Sequence, residues 1–448
     1  MAEPLQHPRG TADVLPDEAE LRDRLIDHAA EMFEEAGYRR IETPIFESTE
    51  LFRRGVGGST DIVRKEMYTF EDAGNRSMTL RPEGTAGVAR AYVQHGMHKL
   101  PQPVKLWYHG PFFRYERAQA GRQRQFAQLG AEVLGSDDPL VDAELITLLH
   151  RLITLIGGRQ IVLKLGSLGS LEARAEYRQL LVDYLRSRES ELSDEVRSRI
   201  DENPLRAFDA KDPGTQAVMR DAPLLMDHLA GDDAEHFAQV TALLEAAGVP
   251  YQLDKTLVRG LDYYTRTVFE FSSAALGAQS GVGGGGRYDG LVQQIGGPPT
   301  SGCGWAAGVE RLLLARDPAH LQRSRPEPPL HVVVAPGARV LAFELANAFE
   351  RLGTIDLSGR SVKGQLKAAA KLGREIVAVV EPEQVTFRRR GAGETTVPAG
   401  QWRGELARQL EATGRVQFYG GDASGASGGE SRNPRAANRS VDPYHPDA

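Results

Sequence analysis

Residues 104–134 read VKLWYHGPFFRYERAQAGRQRQFAQLGAEVL, in which apolar segments lie on either side of a polar loop around Gly121. Segments with the composition of short strands occur at 67–70, 77–81, 104–108, 112–117, 126–134 and 265–272. Short loops join these strands, and helices do not alternate with them regularly. The pattern therefore predicts an α+β fold, an antiparallel sheet with flanking helices.

Helical patterns divide the rest of the chain. Apolar residues recur at helical spacing over 17–36 and 83–94, segment 304–314 is typical of a strand that runs into a helix, and a charged helical pattern fills 167–248 as an insertion. Beyond a Pro-rich linker, strands at 331–335 and 376–380 alternate with helices at 340–352, 361–372 and 402–412. The sequence thus predicts a first domain over 1–325, an α/β domain with a largely parallel sheet over 330–419, and a disordered tail over 420–448.

Composition narrows the class of protein. The 448 residues are 41% hydrophobic and 26% charged, as in globular domains, and the formal charge of −7 still permits local basic strips that bind nucleic acid. Cys303 is the single cysteine, which excludes an intramolecular disulfide and a zinc cage built on several cysteines. Because the sequence shows neither a signal peptide nor an apolar run long enough to span a membrane, we expect a soluble, cytoplasmic protein.

Polar side chains alternate along both strands of the hairpin predicted within 112–134. One face of the first strand carries Phe112, Arg114 and Glu116, and one face of the second carries Phe126, Gln128, Gly130 and Glu132. If these faces are buried together, a polar ligand is needed to satisfy them. Spacing alone favours the alternative, an exposed hairpin whose charges are solvated.

Arginines at two places suit a ligand that carries phosphate, and a third arginine lies in a segment that suits a small polar molecule. The loop between the hairpin strands holds Arg117, Arg122 and Arg124, and guanidinium groups bind phosphate oxygens in pairs. Arg311 falls in the first turn of a predicted helix, where phosphate is also favoured. In LVRGLDYYTR at 257–266, Arg259 stands beside an acid and two phenols that could bind a small polar molecule. Taken alone, each feature also has an ordinary explanation: a flexible basic turn, a surface arginine, and a structured turn with half-buried tyrosines.

The segment GVGGGG at 281–286 matches the GxGxxG pattern of dinucleotide-binding folds. It lies late in a strand region and lacks the strand–turn–helix context that the motif requires, so we reject a dinucleotide site. Two interpretations of the glycines stay open. They allow the backbone to approach a ligand or another strand closely, or they form a plain turn.

Five segments, in order along the chain, together resemble the histidyl-tRNA synthetase family. They are RPEGT at 81–85, FFRYERAQAGRQRQFAQLGAE at 112–132, LVRGLDYYTRTVFE at 257–270, GGGGRYDGLV at 283–292 and GWAAGVERLLL at 304–314. GYRRIETPIF at 37–46, FRYER at 113–117 and GVER at 308–311 are similar to class II motifs 1, 2 and 3. The resemblance spans about 8–415 and implies a class II catalytic domain followed by an anticodon-binding α/β domain.

The same resemblance implies an active site. Its catalytic residues would be Arg259 and Arg114, which neutralise charge at the α-phosphate of ATP. The ATP-binding residues would be Arg114, Glu116, Arg122, Phe126 and Arg311. The histidine-binding residues would be Glu83, Gly84, Thr85, Arg114, Gln128, Glu132, Arg259, Tyr263 and Tyr264. Of these, Glu132 and Tyr264 would read the two imidazole nitrogens.

The implied reaction joins L-histidine to ATP as histidyl-adenylate and then transfers histidine to the 3′ end of tRNA(His). Mg²⁺ would accompany ATP, and no protein ligand is assigned to it. Arg117 and Gln119 would contact the tRNA acceptor end, the insertion would clamp the acceptor stem, and motif 1 would build a homodimer.

Two other classes of protein share parts of this pattern. The regulatory subunit of ATP phosphoribosyltransferase resembles the catalytic domain and senses histidine without ligase activity. Such subunits usually lack the anticodon-binding domain and often lose the arginines that are present here at 114, 259 and 311. A non-catalytic RNA-binding protein would not need those arginines. We therefore expect ligase activity.

Overall fold

The computed structural model describes residues 4–58, 60–117, 119, 121–277, 280–321, 328–348 and 353–413. A first compact unit ends at Leu321, and the described residues from 328 onward belong to a second. The tail predicted over 420–448 lies outside these ranges, as do residues 349–352 of the helix predicted over 340–352.

Helices and strands of the first unit follow the predicted α+β pattern. The helices are α1 (Pro16–Glu35), α2 (Thr49–Val56), α3 (Thr85–Gln94), α4 (Pro139–Leu155), α5 (Leu171–Ser187), α6 (Asp194–Arg197), α7 (Pro213–Met219), α8 (Gly231–Ala246), α9 (Leu291–Gln294) and α10 (Val309–Ala315). The strands are β1 (Arg39–Arg40), β2 (Phe46–Ser48), β3 (Tyr68–Glu71), β4 (Ser77–Leu80), β5 (Val104–Phe113), β6 (Gln125–Leu134), β7 (Ile161–Ser167), β8 (Gln252–Leu253), β9 (Thr265–Ser273), β10 (Gly281–Arg287) and β11 (Gly302–Gly308).

An eight-stranded sheet of described strands forms the centre of this unit, in the order β1-β5-β6-β11-β10-β9-β7-β8. The interior pairs are antiparallel, and only the edge pairs β1–β5 and β7–β8 are parallel. A second, three-stranded antiparallel sheet has the order β2-β4-β3. The prediction of an antiparallel sheet with flanking helices is confirmed.

The hairpin of β5 and β6 pairs without a break from Val104 opposite Leu134 to Phe113 opposite Gln125. The strand predicted over 112–117 was therefore wrong at its far end, because Arg114 and Glu116 lie beyond β5. The chain leaves the sheet there since the Tyr115 amide donates to a carbonyl outside the hairpin, that of Glu66, at 2.7 Å.

Apolar side chains cover both faces of the large sheet. On one face, Phe33 of α1 stacks on Trp107 with ring centres 5.3 Å apart and lies 5.8 Å from the Trp305 ring. Tyr108, next to Trp107 on β5, points to the other face and belongs to a core shared with α3, α5 and α9. Cys303 on β11 is fully buried in the first of these cores. Burial on both faces fixes the register of the strands.

Between β7 and β8 the chain forms α5 to α8 and several short 3₁₀ turns. The charged helical pattern predicted over 167–248 does not hold throughout, because residues 189–200 contain a 3₁₀ turn at Glu189–Glu191 and the single turn α6. The Ser193 hydroxyl accepts from the Val196 amide at 3.4 Å, which caps α6 and separates it from the preceding turn.

The second unit contains β12 (Leu330–Val334), α11 (Arg339–Ala346), β13 (Gly353–Ile355), α12 (Val362–Leu372), β14 (Ile376–Val380), β15 (Gln384–Arg389), β16 (Glu394–Pro398) and α13 (Trp402–Glu411). Its sheet has the order β13-β12-β14-β15-β16. The first three strands are parallel, as predicted, but β15 and β16 add an antiparallel hairpin that was not predicted. In neither unit does the described part of the chain include a helix long and apolar enough to span a bilayer.

Candidate active site

A cavity of about 410 Å³ opens on the large sheet where β6, β11, β10 and β9 lie side by side. Charged and aromatic side chains line it, from the hairpin loop, β6, the segment before β9, β9 and α10. They include Arg114, Glu116, Arg122, Phe126, Gln128, Arg259, Glu270, Glu310 and Arg311. Every ATP-binding residue implied by the resemblance therefore lines one cavity. The alternative of a solvated hairpin was wrong, because three further strands extend the sheet beside the hairpin and build the cavity wall.

Arg114 is held at the edge of this cavity by the backbone. Its Nε donates to the Pro82 carbonyl at 2.8 Å, and its guanidinium lies 5.5 Å from the centre of the Phe126 ring. Glu116 contacts two guanidinium groups: its Oε1 lies 3.9 Å from Arg114 Nη1, and its Oε2 pairs with Arg122. The carboxylate thus holds two arginines close together.

Arg311, in the first turn of α10, connects the hairpin loop to β10. Its Nε donates to the Gly121 carbonyl at 3.0 Å, and its Nη1 donates to the Gly281 carbonyl. Burial is the main cause that lowers the pKa of Arg311, Arg122 and Arg114, and repulsion among these guanidinium groups also lowers the pKa of Arg311 and Arg122. A half-buried cluster of cations is stabilised when an anion such as a polyphosphate binds.

Further along β6, Glu132 is fully buried among hydroxyl groups. Its Oε1 accepts from Thr85 Oγ1 at 2.7 Å and from the Tyr108 hydroxyl at 3.3 Å, and its Oε2 accepts from the Tyr288 hydroxyl at 2.6 Å. A carboxylate offers about four lone-pair sites. When Glu132 is ionised, three hydroxyl donors therefore leave room for one more donor on it.

Glu83 sits beside this cluster and caps α3. Its two carboxylate oxygens accept from the amides of Thr85 at 2.8 Å and Ala86 at 3.0 Å. The Tyr263 hydroxyl donates to Glu83 Oε2 at 3.4 Å, and the Tyr263 and Tyr264 rings are 4.8 Å apart. The structure thus brings Glu83, Thr85, Glu132 and both tyrosines into one buried polar cluster.

Glycines are required where this cluster meets the sheet. A Cβ at Gly84 would lie 2.4 Å from Tyr108 Cζ, and a Cβ at Gly304 would lie 1.7 Å from Glu132 Oε2. A Cβ at Gly285 would lie 1.9 Å from the Gly304 carbonyl oxygen of the neighbouring strand. Segment 281–286 is thus a strand in close contact with its neighbours, and the interpretation of these glycines as a plain turn was wrong.

Arg259 forms an ion pair with Glu270 of β9, and its guanidinium lies against β10, where a Cβ at Gly284 would be 3.1 Å from Cζ. Glu270 was not identified from the sequence. The signal available was a single acid within the apolar strand TRTVFEFSS. Glu310 was also missed. Both of its carboxylate oxygens accept from the Ala127 amide of β6, at 3.0 and 3.1 Å.

The two residues implied for the tRNA acceptor end lie outside the cavity. Arg117 is exposed, and exposed Gln119 pairs through its backbone with Arg122, with N–O distances of 3.0 and 2.9 Å. This pairing carries Arg122 back into the cavity lining, while Arg117 and Gln119 remain on the surface of the loop.

The thermal stability of the free protein should depend on pH through Glu132. Burial is the largest cause that raises the pKa of Glu132 from 4.5 to about 8. The folded protein therefore keeps a proton that the unfolded chain has released, so stability falls as pH rises through this interval. We expect Glu132→Gln, which cannot ionise, to flatten the decline in Tm between roughly pH 5 and pH 8.

Calorimetry across that pH range checks this expectation, with the exposed Glu172→Gln as the matched control. A Glu132→Gln profile that runs parallel to those of the wild type and the control would mean that Glu132 does not hold this proton.

An antiparallel sheet that carries a cluster of arginines, a motif 2 hairpin and a motif 3 helix defines the catalytic domain of a class II aminoacyl-tRNA synthetase. The sequence model of the family described as histidyl-tRNA synthetase matches residues 10–312. The chain is 48% identical over 392 residues to the histidine–tRNA ligase of Thermosynechococcus vestitus, which covers 85% of this chain and 90% of that one. It is 47% identical over 421 residues to the histidine–tRNA ligase of Rubrobacter xylanophilus, which covers 90% and 98%.

The crystal structure of apo histidyl-tRNA synthetase from S. aureus superposes on this chain with a TM-score of 0.74. The two sequences are 33% identical, and the match covers 90% of this chain and 99% of that one. This chain belongs to the histidyl-tRNA synthetase family.

Proposed function

We propose that this protein is a histidine–tRNA ligase, which activates L-histidine with ATP and transfers it to the 3′ end of tRNA(His). The observation that carries the proposal is one cavity with four arginines, at 114, 122, 259 and 311, together with the buried polar cluster around Glu132. The first suits a polyphosphate and the second a small ligand with polar hydrogens. The names of the relatives support the same activity.

ATP would bind along the hairpin. Phe126 would stack on adenine, Arg114 would hold the α-phosphate, and Arg122 and Arg311 would hold the terminal phosphates. Glu116 would accept from the adenine amino group. Because Glu116 pairs with Arg122 in the free protein, nucleotide binding would open this pair and release Arg122 to the phosphates.

Histidine would bind beside the nucleotide. Glu132 would be ionised in the complex, where its free lone pair would accept from one imidazole nitrogen, and the Tyr264 hydroxyl would contact the other. Gln128 Oε1 is buried and has no hydrogen-bond partner within the described residues, so it can accept from the histidine ammonium group. Glu83 and Thr85 would help to orient the same group.

In the first step, a carboxylate oxygen of histidine attacks the α-phosphorus and the bond to diphosphate breaks. Such a transfer depends on positioning and on neutralising the negative charge that shifts between oxygens. Arg114 and Arg259 would supply positive charge at the α-phosphate and the reacting carboxylate. In the second step, a terminal ribose hydroxyl of the tRNA attacks the histidyl carbonyl carbon and AMP leaves. No covalent intermediate with the enzyme is needed.

Mg²⁺ would enter with ATP and offset phosphate charge. The ranges that the structure describes contain no group of three or more histidine, cysteine or acidic side chains able to hold a metal. Mg²⁺ does not need such a group, because it commonly binds one or two carboxylates together with phosphates and water. Glu270 is the carboxylate of the cavity placed to contribute, after Arg259 turns to the α-phosphate.

The remaining partners follow from the same function. Arg117 and Gln119 would contact the acceptor end of the tRNA, helices α5 to α8 would clamp the acceptor stem, and the unit over 330–419 would bind the anticodon. We propose a homodimer assembled through motif 1, located in the cytoplasm. The catalytic domain would span 1–325, with the insertion at 167–248.

Histidine-dependent exchange between ATP and diphosphate on the purified protein tests the proposal. Exchange that occurs with histidine and with no other amino acid supports the proposed ligase activity. Histidine binding without exchange would instead favour the regulatory-subunit class, which the present observations do not favour, because relatives named as ligases match most of the chain.

Removing residues 330–448 should spare activation and weaken charging. The cavity and the polar cluster are built entirely from residues of the first unit, whereas anticodon binding is assigned to the second. We expect adenylate formation within a fewfold of the full chain and a loss of more than about tenfold in kcat/KM for tRNA, which corresponds to about 1.4 kcal/mol of lost transition-state stabilisation. Parallel losses in both assays would show that the second unit supports the catalytic fold.

A further inference from the structure

The loop between β8 and β9, residues 254–264, is called the tyrosine loop here. It carries Tyr263 and Tyr264 but has no regular structure of its own. Both tyrosine side chains are nonetheless buried, with 4% and 5% of their surface exposed. One backbone contact comes from the catalytic side, where the Asp262 amide donates to the Val56 carbonyl at 3.2 Å. A loop with buried side chains needs further partners to hold one conformation.

The helical insertion supplies these partners. Arg174, near the start of α5, donates from Nη1 to two backbone carbonyls, those of Asp262 at 3.0 Å and Tyr264 at 2.8 Å. These carbonyls stand on either side of Tyr263. A single guanidinium of the insertion thus fixes the peptide units that carry both tyrosines.

Other insertion residues hold the end of the same loop and the start of β9. Asn203 Nδ2 donates to Asp262 Oδ1 at 2.9 Å. Asp233 of α8 accepts from Arg266 Nε at 3.0 Å through one oxygen and from the Ser170 amide at 2.8 Å through the other. Arg266 has a φ of +47°, which is costly for a residue with a side chain and persists only where its surroundings hold it.

We propose that Arg174 is a positioning residue for the amino-acid pocket, through which the helical insertion sets the orientation of Tyr263 and Tyr264. This inference rests on the proposed function, because it takes the two tyrosines as part of the histidine pocket. It gives the insertion a role in the first step of the reaction, before any tRNA is bound.

Loss of Arg174 should weaken the binding of histidine more than the binding of ATP. The carbonyls that it holds belong to the tyrosine loop, whereas the arginines assigned to ATP are held by Pro82, Glu116, Gly121 and Gly281. Losing hydrogen bonds from a charged donor corresponds to roughly tenfold or more in an equilibrium constant. We expect Arg174→Ala to raise the KM for histidine about tenfold and to change the KM for ATP less than about twofold.

The experiment measures histidine-dependent exchange by the full chain and its variants, varying each substrate in turn. Arg178→Ala is the matched control, because Arg178 lies one turn further along α5, is exposed and, among the residues that the structure describes, bonds only within the insertion, to the Asp201 carbonyl. Arg174→Lys, which keeps the charge but not the fork of donors, should recover part of the histidine KM. Asn203→Ala should raise the histidine KM in the same direction as Arg174→Ala.

Several results would overturn the inference. One is a histidine KM for Arg174→Ala within twofold of that for Arg178→Ala. Another is an equal rise in both KM values, which marks a general structural role. If Arg174→Ala does not fold, Arg174→Lys and Asn203→Ala test the inference in its place. Histidine KM values equal to that of the wild type in both variants would reject the inference. A wild-type protein without histidine-dependent exchange would instead contradict the proposed function itself.

Discussion

Replacing Arg259 with alanine is expected to slow histidyl-adenylate formation by about 10²–10³-fold while the fold stays intact. Arg259 lines the cavity and lies against the glycine backbone of β10, so its guanidinium can face the reacting carboxylate and the α-phosphate. Positive charge at that point stabilises the transition state more than the bound substrates. Its loss should therefore lower kcat more than it raises either KM.

The pairing of Arg259 with Glu270 calls for a control. Arg259→Ala leaves the Glu270 carboxylate unpaired, and repulsion between that carboxylate and ATP would slow the reaction for a second reason. The double variant Arg259→Ala with Glu270→Gln removes this repulsion. We expect most of the loss to persist in the double variant. Adenylate formation in rapid-quench experiments gives the rate, and a single variant within a fewfold of the wild type would reject the assigned role.

The second large effect concerns the choice of amino acid. A site built to hydrogen-bond a ligand can reject an analogue that lacks the matching group by ~10⁴–10⁵ without an editing domain. Glu132 is such a group, because three hydroxyls orient its carboxyl and leave one lone pair for the ligand. Glutamine has one acceptor oxygen and an NH₂ group, which would face hydroxyl donors. We expect Glu132→Gln to raise the KM for histidine and to lose much of this discrimination.

The measurement compares kcat/KM for histidine and for an imidazole-modified analogue in the wild type and in Glu132→Gln. The KM for ATP should change little, because Glu132 does not line the cavity assigned to the nucleotide. Tyr288→Phe removes one of the three hydroxyl donors and should give a smaller change in the same direction. An unchanged ratio between the two substrates in Glu132→Gln would show that Glu132 does not read the ring.

Most of the cavity could be predicted from local sequence. The alternation of β6 correctly placed Phe126, Gln128 and Glu132 on one face, since side-chain direction in a strand follows from period two. The end of β5 could not be predicted, because it depends on a hydrogen bond from Tyr115 to Glu66, a residue distant in the chain. Periodicity describes one strand at a time and does not contain such tertiary pairings.

Glu270, the acid that pairs with Arg259, was missed for a related reason. Glu270 pairs with Arg259 across the bend between the tyrosine loop and β9, and the shape of that bend depends on the insertion. The hairpin of β15 and β16 was missed although Val385 and Phe387 alternate with polar residues. The charged segment RRRGAG at 388–393 includes the end of β15 and resembles a loop more than the turn of a hairpin.

Cys303 offers a practical consequence for spectroscopy. It is the single thiol of the chain, it is fully buried in β11, and burial raises its pKa well above the usual range. Maleimide reagents attack exposed thiolates, so the native protein should remain unlabelled. A cysteine introduced at the exposed position of Glu172 on α5 would then be the one reactive site. A fluorophore attached there would report movements of the insertion without background from the native chain.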